Sequence, residues 1–174
     1  MRTKRLAVNA MLSAMCAVLG FISLDFGNIK ITFESVPIIV GALLFGPLDG
    51  LIIAGIGNLI YQVLRYGITV TTVLWILPYM VSGFLLGAYA RRKSFSLTRT
   101  ETLVAIIISE LLITALNTGA LYIDSKIYGY YSFAYIFGAL VLRLVICVAK
   151  ATAYGLVMPP LLRAVATHAV KGDD

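Results

Sequence analysis

Long apolar runs separated by short polar stretches dominate the chain. The first run covers residues 6–24 and is uncharged, and four more extend over residues 49–65, 71–90, 101–123 and 132–159. A helix of about 20 apolar residues crosses the ~30 Å hydrocarbon layer of a bilayer. The pattern therefore predicts five long transmembrane helices, of which the one over residues 71–90 is kinked at Pro78 and the last is broken at Pro159-Pro160.

A shorter apolar run lies between the first two long ones, and residues typical of helix ends flank it on both sides. Ser35 is predicted to cap its helix, and Glu34 suits the positive end of the helix dipole. Gly46-Pro47 ends it, and Asp49 is predicted to cap the next helix. At ~1.5 Å per residue this helix is shorter than the hydrocarbon layer, so we expect it to pack among the longer ones.

Basic residues mark one side of these spans. The N-terminus, the loop between the fourth and fifth helices and the C-terminal tail carry most of them, whereas the opposite loops offer only Lys30, Arg65 and Lys126. The positive-inside rule places that basic side in the cytoplasm. The expected fold is an all-α integral membrane protein: one domain over residues 1–174, a compact bundle of six transmembrane helices with both termini cytoplasmic.

Composition agrees with this fold and excludes an ordinary soluble domain. Hydrophobic residues make up 60% of the chain and charged residues 13%, and the net charge of +6 comes from cations at helix ends, so it gives no reason to expect nucleic-acid binding. Cys16 and Cys147 lie in apolar runs without a CxxC pair, and we expect two buried free thiols without a metal or redox role.

Polar side chains recur at helical spacing on four of the helices, mostly in their outer halves. Intramembrane polar groups are costly unless they find partners, so their convergence indicates a water-accessible cavity that opens outward. The stripes comprise Asn58, Gln62 and Arg65 on the third helix, Thr72, Trp75 and Tyr79 on the fourth, Glu110, Thr114, Asn117 and Tyr122 on the fifth, and Tyr135, Arg143 and Lys150 on the sixth.

Each of these groups also has a purely structural interpretation. Trp75 suits the aromatic belt at the membrane interface. Glu110 and Arg143 are predicted at similar depth, so Arg143 either contacts a ligand or pairs with Glu110, while Lys150 is expected to snorkel toward the cytoplasm. Interhelical hydrogen bonds alone would account for Asn58, Gln62 and Asn117.

The motifs of common enzymes are missing from the sequence. GxxxxGK[ST], HExxH and GxSxG do not occur, and no pair of neighbouring carboxylates lies deep in an apolar run. The chain is therefore expected to bind a small molecule, without a cofactor or metal, and to depend on other proteins for energy. A small membrane enzyme is disfavoured, and a stand-alone carrier for a small solute stays open.

Small residues form a stripe along the first helix. Ala7, Ala10, Ala14 and Ala17 share one face, which lets another helix approach closely. That other helix either belongs to this chain or to a partner protein.

Two passages resemble a known family. Ala10-x-x-x-Ala14 is similar to the AxxxA coupling motif of the substrate-binding S components of energy-coupling factor (ECF) vitamin transporters. Residues 31–37, with Leu43 to Pro47, resemble the passage I-x-F-x-x-[IVL]-P … L-x-G-P of that family, most closely in its folate-type group. The family has six helices, cytoplasmic termini and a similar length, so the resemblance extends over essentially the whole chain.

The resemblance implies a protein of the prokaryotic plasma membrane that captures a vitamin from outside. Its implied partners are a transmembrane coupling subunit and two ATPases, which Ala10 and Ala14 would help to engage. Folate is the first candidate substrate, with pantothenate, riboflavin, a pyridoxine-like vitamin and queuosine precursors as alternatives. Aromatic rings would stack on the ligand, and Arg65 or Arg143 would bind an anionic group. The expected substrate-binding residues are Asn58, Gln62, Arg65, Trp75, Tyr79, Asn117, Tyr122, Tyr135 and Arg143.

Overall fold

Helices make up nearly all of the computed structural model, which describes residues 2–26, 29–138 and 140–170. Within those residues, five segments are long and apolar enough to cross a membrane: Thr3–Phe21, Pro47–Tyr66, Thr72–Arg92, Arg99–Ile127 and Phe133–Leu162. In chain order the elements are α1 (Arg2–Phe21), β1 (Ser23–Phe26), β2 (Ile29–Thr32), α2 (Ser35–Phe45), α3 (Pro47–Tyr66), α4 (Thr72–Arg92), α5 (Arg99–Ile127), α6 (Phe133–Phe137) and α7 (Leu140–Val170). Five long spans and a short apolar helix confirm the predicted helical membrane fold.

The short helix α2 lies at the centre of the bundle. It contacts α1, α3, α4 and α7, and its side chains Ile38, Ile39 and Val40 are each only 2% exposed. Both predicted caps are wrong. Ser35 is the first helical residue and is itself buried, and α3 already begins at Pro47.

Asp49 therefore lies in the first turn of α3, where it joins two helices. It accepts a hydrogen bond from Asn9 Nδ2 at 2.5 Å and pairs with the guanidinium of Arg5, which also donates to the carbonyl of Phe45 at 2.8 Å. These contacts connect the start of α1 to the end of α2 and the start of α3. The basic N-terminus and the turn between α2 and α3 consequently lie at the same end of the bundle.

Helices α3 and α4 pack backbone against backbone. A Cβ atom on Gly50 would lie 2.6 Å from the carbonyl oxygen of Gly83, and a Cβ on Gly83 would lie 2.6 Å from that of Gly50. No side chain fits in such a space, so glycine at both positions allows the two helices to approach this closely. This close contact lies at the end of the bundle that carries the basic loops, near the start of α3 and the C-terminal half of α4.

Three element boundaries differ from the sequence prediction. The first helix ends at Phe21 instead of residue 24, and the antiparallel strands β1 and β2 occupy the end of that predicted run and much of the polar connection expected over residues 25–32. The last run is divided into α6 and α7, and α7 continues through Pro159-Pro160. Proline interrupts a helix less in a membrane bundle, where neighbouring helices satisfy the freed backbone groups. Cys16 and Cys147 are both free and buried, as predicted.

Candidate functional site

A cavity of about 840 Å³ occupies the outer half of the bundle. The end of β2, the C-terminal halves of α3 and α5, the N-terminal half of α4 and the segment from Tyr128 into α7 surround it. All of these lie at the end of the bundle opposite the basic loops. The predicted outward cavity is therefore present.

Seven of the nine predicted binding residues come together in this cavity. They reach it from five helices, α3 to α7, and residues at helical spacing on one helix share a face toward it. These residues are Gln62, Arg65, Trp75, Tyr79, Asn117, Tyr135 and Arg143.

The other two predicted binding residues lie elsewhere. Asn58 is 1% exposed, and its Nδ2 donates to the carbonyl of Ala54 at 3.1 Å and to Cys16 Sγ at 3.7 Å, so it faces α1. Tyr122 is 41% exposed, and its ring packs edge-on against Tyr131 with 5.6 Å between centroids. Both residues match the stripe pattern on their helices, but each is rotated away from the cavity.

A buried ion pair lies on the inner side of the cavity. Lys150 Nζ is 2.7 Å from Glu110 Oε2, and Lys150 also lines the cavity. The expectation that Lys150 snorkels to the cytoplasm is wrong, and Glu110 pairs with it rather than with Arg143. Since α7 continues past Pro160, Lys150 is ten residues from the helix start at Leu140 and twenty from its end at Val170, which places it deeper than the predicted break implied.

Asn117 offers a hydrogen-bonding group to a ligand. Its Nδ2 donates to the hydroxyl of Tyr79 at 3.4 Å, while its Oδ1 is buried and has no hydrogen-bond partner among the described residues. A buried amide atom without a partner is costly, by about 1–3 kcal/mol. A bound molecule with an N–H or O–H group at this point would remove that penalty.

Sequence reasoning missed Asp124, which lies at the rim of the cavity and is 8% exposed. Its Oδ1 accepts from Trp75 Nε1 at 3.4 Å and its Oδ2 accepts from the hydroxyl of Tyr130. Partial burial and the adjacent Asp124 carboxylate raise the pKa of Tyr130 above its ordinary value. The spacing of seven residues from Glu110 to Asn117 and again to Asp124 is the signal that indicates one shared helix face.

Glu34 was assigned to the helix dipole, but it also lines the cavity. Its carboxylate is 3% exposed and accepts from Thr32 Oγ1 at 2.9 Å. With this residue included, the ionisable groups at the cavity balance in formal charge. The cations are Arg65, Arg143 and Lys150, and the anions are Glu34, Asp124 and Glu110, the partner of Lys150.

The predicted coupling residues lie on the outside of the bundle. Ala10 and Ala14 are exposed on α1, whereas Ala17, one turn further along, is buried. The helices of this chain therefore leave the Ala10–Ala14 part of the stripe uncovered.

Comparison with known proteins gives three results. Residues 4–166 match the family model described as ECF transporter, substrate-specific component. A solved structure described as "Structure and mechanism of the S component of a bacterial ECF transporter" is similar with a TM-score of 0.68 and 25% identity, over 97% of this chain and 98% of that one. The riboflavin transporter FmnP of Bacillus subtilis (strain 168) is 33% identical over 69 residues, which amount to 37% of this chain and only 36% of that protein.

Proposed function

Because this chain belongs to the substrate-specific components of ECF transporters, we propose that it captures a vitamin in its outer cavity for uptake by a partner module that supplies the energy. The chain is a multi-pass protein of the plasma membrane and a transporter subunit rather than an enzyme. The observation that carries the proposal is the cavity of about 840 Å³, which is within the range of small-molecule sites and is rich in aromatic side chains.

The chemistry of the cavity favours a flat, uncharged vitamin. Trp75, Tyr79 and Tyr135 provide ring surfaces for stacking. Because cations and anions at the cavity balance, a dianion such as folate would enter without surplus positive charge to offset its two carboxylates. Riboflavin, the substrate in the name of the partly matching relative, is therefore our first candidate. Folate, favoured by the motif around α2, becomes the second.

The test is direct identification of the bound molecule. Small molecules released from the purified protein are identified by mass spectrometry, and a panel of riboflavin, folate, pantothenate, pyridoxine and queuosine precursors is titrated by calorimetry. We expect one riboflavin site per chain without added nucleotide. Tight binding of folate alone would refute the charge argument, and failure of every panel member to bind would refute the vitamin site.

Two substitutions locate the site. Trp75→Ala and Tyr135→Ala should each weaken binding by about 1–3 kcal/mol, since each removes a ring that stacks on the ligand. Tyr122→Ala is the matched control, because this tyrosine is half-exposed outside the cavity and its loss should leave affinity unchanged. Equal affinity in all three variants would move the site away from the cavity.

The proposed partners are a transmembrane coupling subunit and two ATPase subunits. Ala14→Trp would place an indole on the exposed stripe and hold a partner helix away, while the cavity at the other end of the bundle is untouched. We expect normal vitamin binding, loss of assembly with the module and loss of uptake. Met15→Trp, at an exposed site on the adjacent face, is the control that should transport normally. Uptake by Ala14→Trp in cells lacking any ECF module would favour a stand-alone carrier.

A further inference from the structure

Three separate segments meet at the carboxylate of Asp124. Trp75 comes from the start of α4, Asp124 from the last turns of α5, and Tyr130 from the segment after α5. The indole N–H donates to one carboxylate oxygen at 3.4 Å and the Tyr130 hydroxyl donates to the other. A carboxylate that is 8% exposed is held in place by such donors, and hydrogen bonds to an ionised acceptor are about twice as strong as neutral ones.

The segment that carries Tyr130 lies along the rim of the cavity. We call residues 128–137 the strap; it turns away from α5 at Gly129, which has a positive φ of 75°. Within the strap, the ring of Tyr130 packs edge-on against Tyr135 with 6.0 Å between centroids. Tyr128, Tyr130 and Tyr135 all line the cavity, so the strap forms part of its wall.

We propose that Asp124 is a latch: it holds the strap against α4, fixes the indole of Trp75 and thereby sets how long a bound substrate stays in the cavity. The part that concerns substrate lifetime rests on the proposed function. Asp124 is a positioning residue in this proposal, because it acts through Trp75 and Tyr130. The strap opens when the Tyr130 hydroxyl leaves the carboxylate, while the Trp75 bond joins α4 to α5, so weakening the Tyr130 bond opens the cavity more often.

The first experiment needs no substrate, because Trp75 is the single tryptophan of the chain and its fluorescence reports on this site alone. Asp124→Asn should raise the acrylamide quenching constant of Trp75 about twofold or more, since the charged acceptor of its N–H is lost. Tyr130→Phe keeps that acceptor and should leave the quenching nearly unchanged. Hydrogen exchange of the strap should rise in both variants. Tyr131→Phe is the matched control, because Tyr131 packs on Tyr122 outside the cavity and should change neither measurement.

The second experiment measures substrate lifetime in the full chain. Riboflavin dissociation is followed by stopped-flow fluorescence, and both Asp124→Asn and Tyr130→Phe should raise the dissociation rate about tenfold, with Tyr131→Phe as wild type. If no vitamin binds, the proposed function fails while strap exchange and Trp75 quenching still test the latch. Unchanged strap exchange in both variants would overturn the latch. So would faster exchange with an unchanged dissociation rate in a protein that binds riboflavin.

Discussion

Removing one partner of the Glu110–Lys150 ion pair should destabilise the protein more than removing both. The two side chains are 1% and 17% exposed, and their charged atoms are 2.7 Å apart. When Glu110→Gln deletes the carboxylate, the largely buried ammonium group of Lys150 on the inner side of the cavity loses its ion-pair partner. Taking both charges away, as in Glu110→Gln with Lys150→Met, leaves no such group.

The loss of stability in each single variant is limited by the free energy at which the remaining charged group becomes neutral, since Lys150 can lose a proton and Glu110 can gain one. At pH 7, a lysine with an ordinary pKa of about 10.4 becomes neutral at a cost of about 4.6 kcal/mol, from 1.36 kcal/mol per pH unit. A lone glutamate with an ordinary pKa of about 4.3 becomes protonated at about 3.7 kcal/mol. These are upper limits, since Lys150 also interacts with Glu34. Both agree with the 3–5 kcal/mol lost when a buried pair is broken.

The assay is reversible unfolding in mixed detergent micelles at several pH values. In Glu110→Gln the unfolded chain binds a proton at Lys150 that the folded chain lacks, so the unfolding free energy should rise with pH between 7 and about 10. In Lys150→Met the folded chain holds a proton at Glu110 that the unfolded chain lacks, so stability should rise as the pH falls toward about 5. A loss below about 1 kcal/mol in both single variants, or parallel pH profiles, would refute a buried ion pair.

Two further predictions concern packing. Gly50→Ala should destabilise the fold by about 1–3 kcal/mol, since its Cβ would lie 2.6 Å from the Gly83 carbonyl oxygen. The control Gly119→Ala, whose Cβ would have nothing within 4 Å, should stabilise the helix by about 0.5–1 kcal/mol, and equal stabilities of the two variants in the micelle assay would contradict the close helix crossing. Asn58→Leu should lower stability but leave vitamin affinity per folded molecule unchanged, because Asn58 contacts Ala54 and Cys16 rather than the cavity; a calorimetric titration that showed weaker binding would return it to the site.

The membrane fold was predictable because the bilayer imposes it. Run length alone locates the spans, and Gly46-Pro47 with a short apolar run identifies α2 as a buried helix. The hairpin was missed because Asp25 and Lys30 read as a polar connection, although apolar and polar residues alternate along both strands. The break at Pro159-Pro160 was wrong because the prediction applied the rule for helices in water.

The site was predictable to the level of helix faces and no further. Spacing places Gln62 and Asn58 on one stripe, but a rotation of the helix decides which of them meets the cavity, and that depends on packing against α1. The partner of Glu110 depends on the relative depth of α5 and α7, which the continuation of α7 past Pro160 changes. Asp124 was missed because α5 continues to Ile127 instead of ending at residue 123.

The cavity lies between two pairs of helices, α3 with α4 and α5 with α7, and this position determines what a bound molecule would stabilise. On one side are α3 and α4, which are joined at the end away from the cavity by a close contact between Gly50 and Gly83. On the other, α5 and α7 pack along each other and carry the buried Glu110–Lys150 ion pair, and Tyr130 of the strap donates to Asp124. A vitamin in the cavity touches both sides, and at one hundred times its Kd it would add about 2.7 kcal/mol to stability. That is comparable to the ~3–5 kcal/mol lost when a buried ion pair is broken, so we expect a bound vitamin to link the two sides of the cavity.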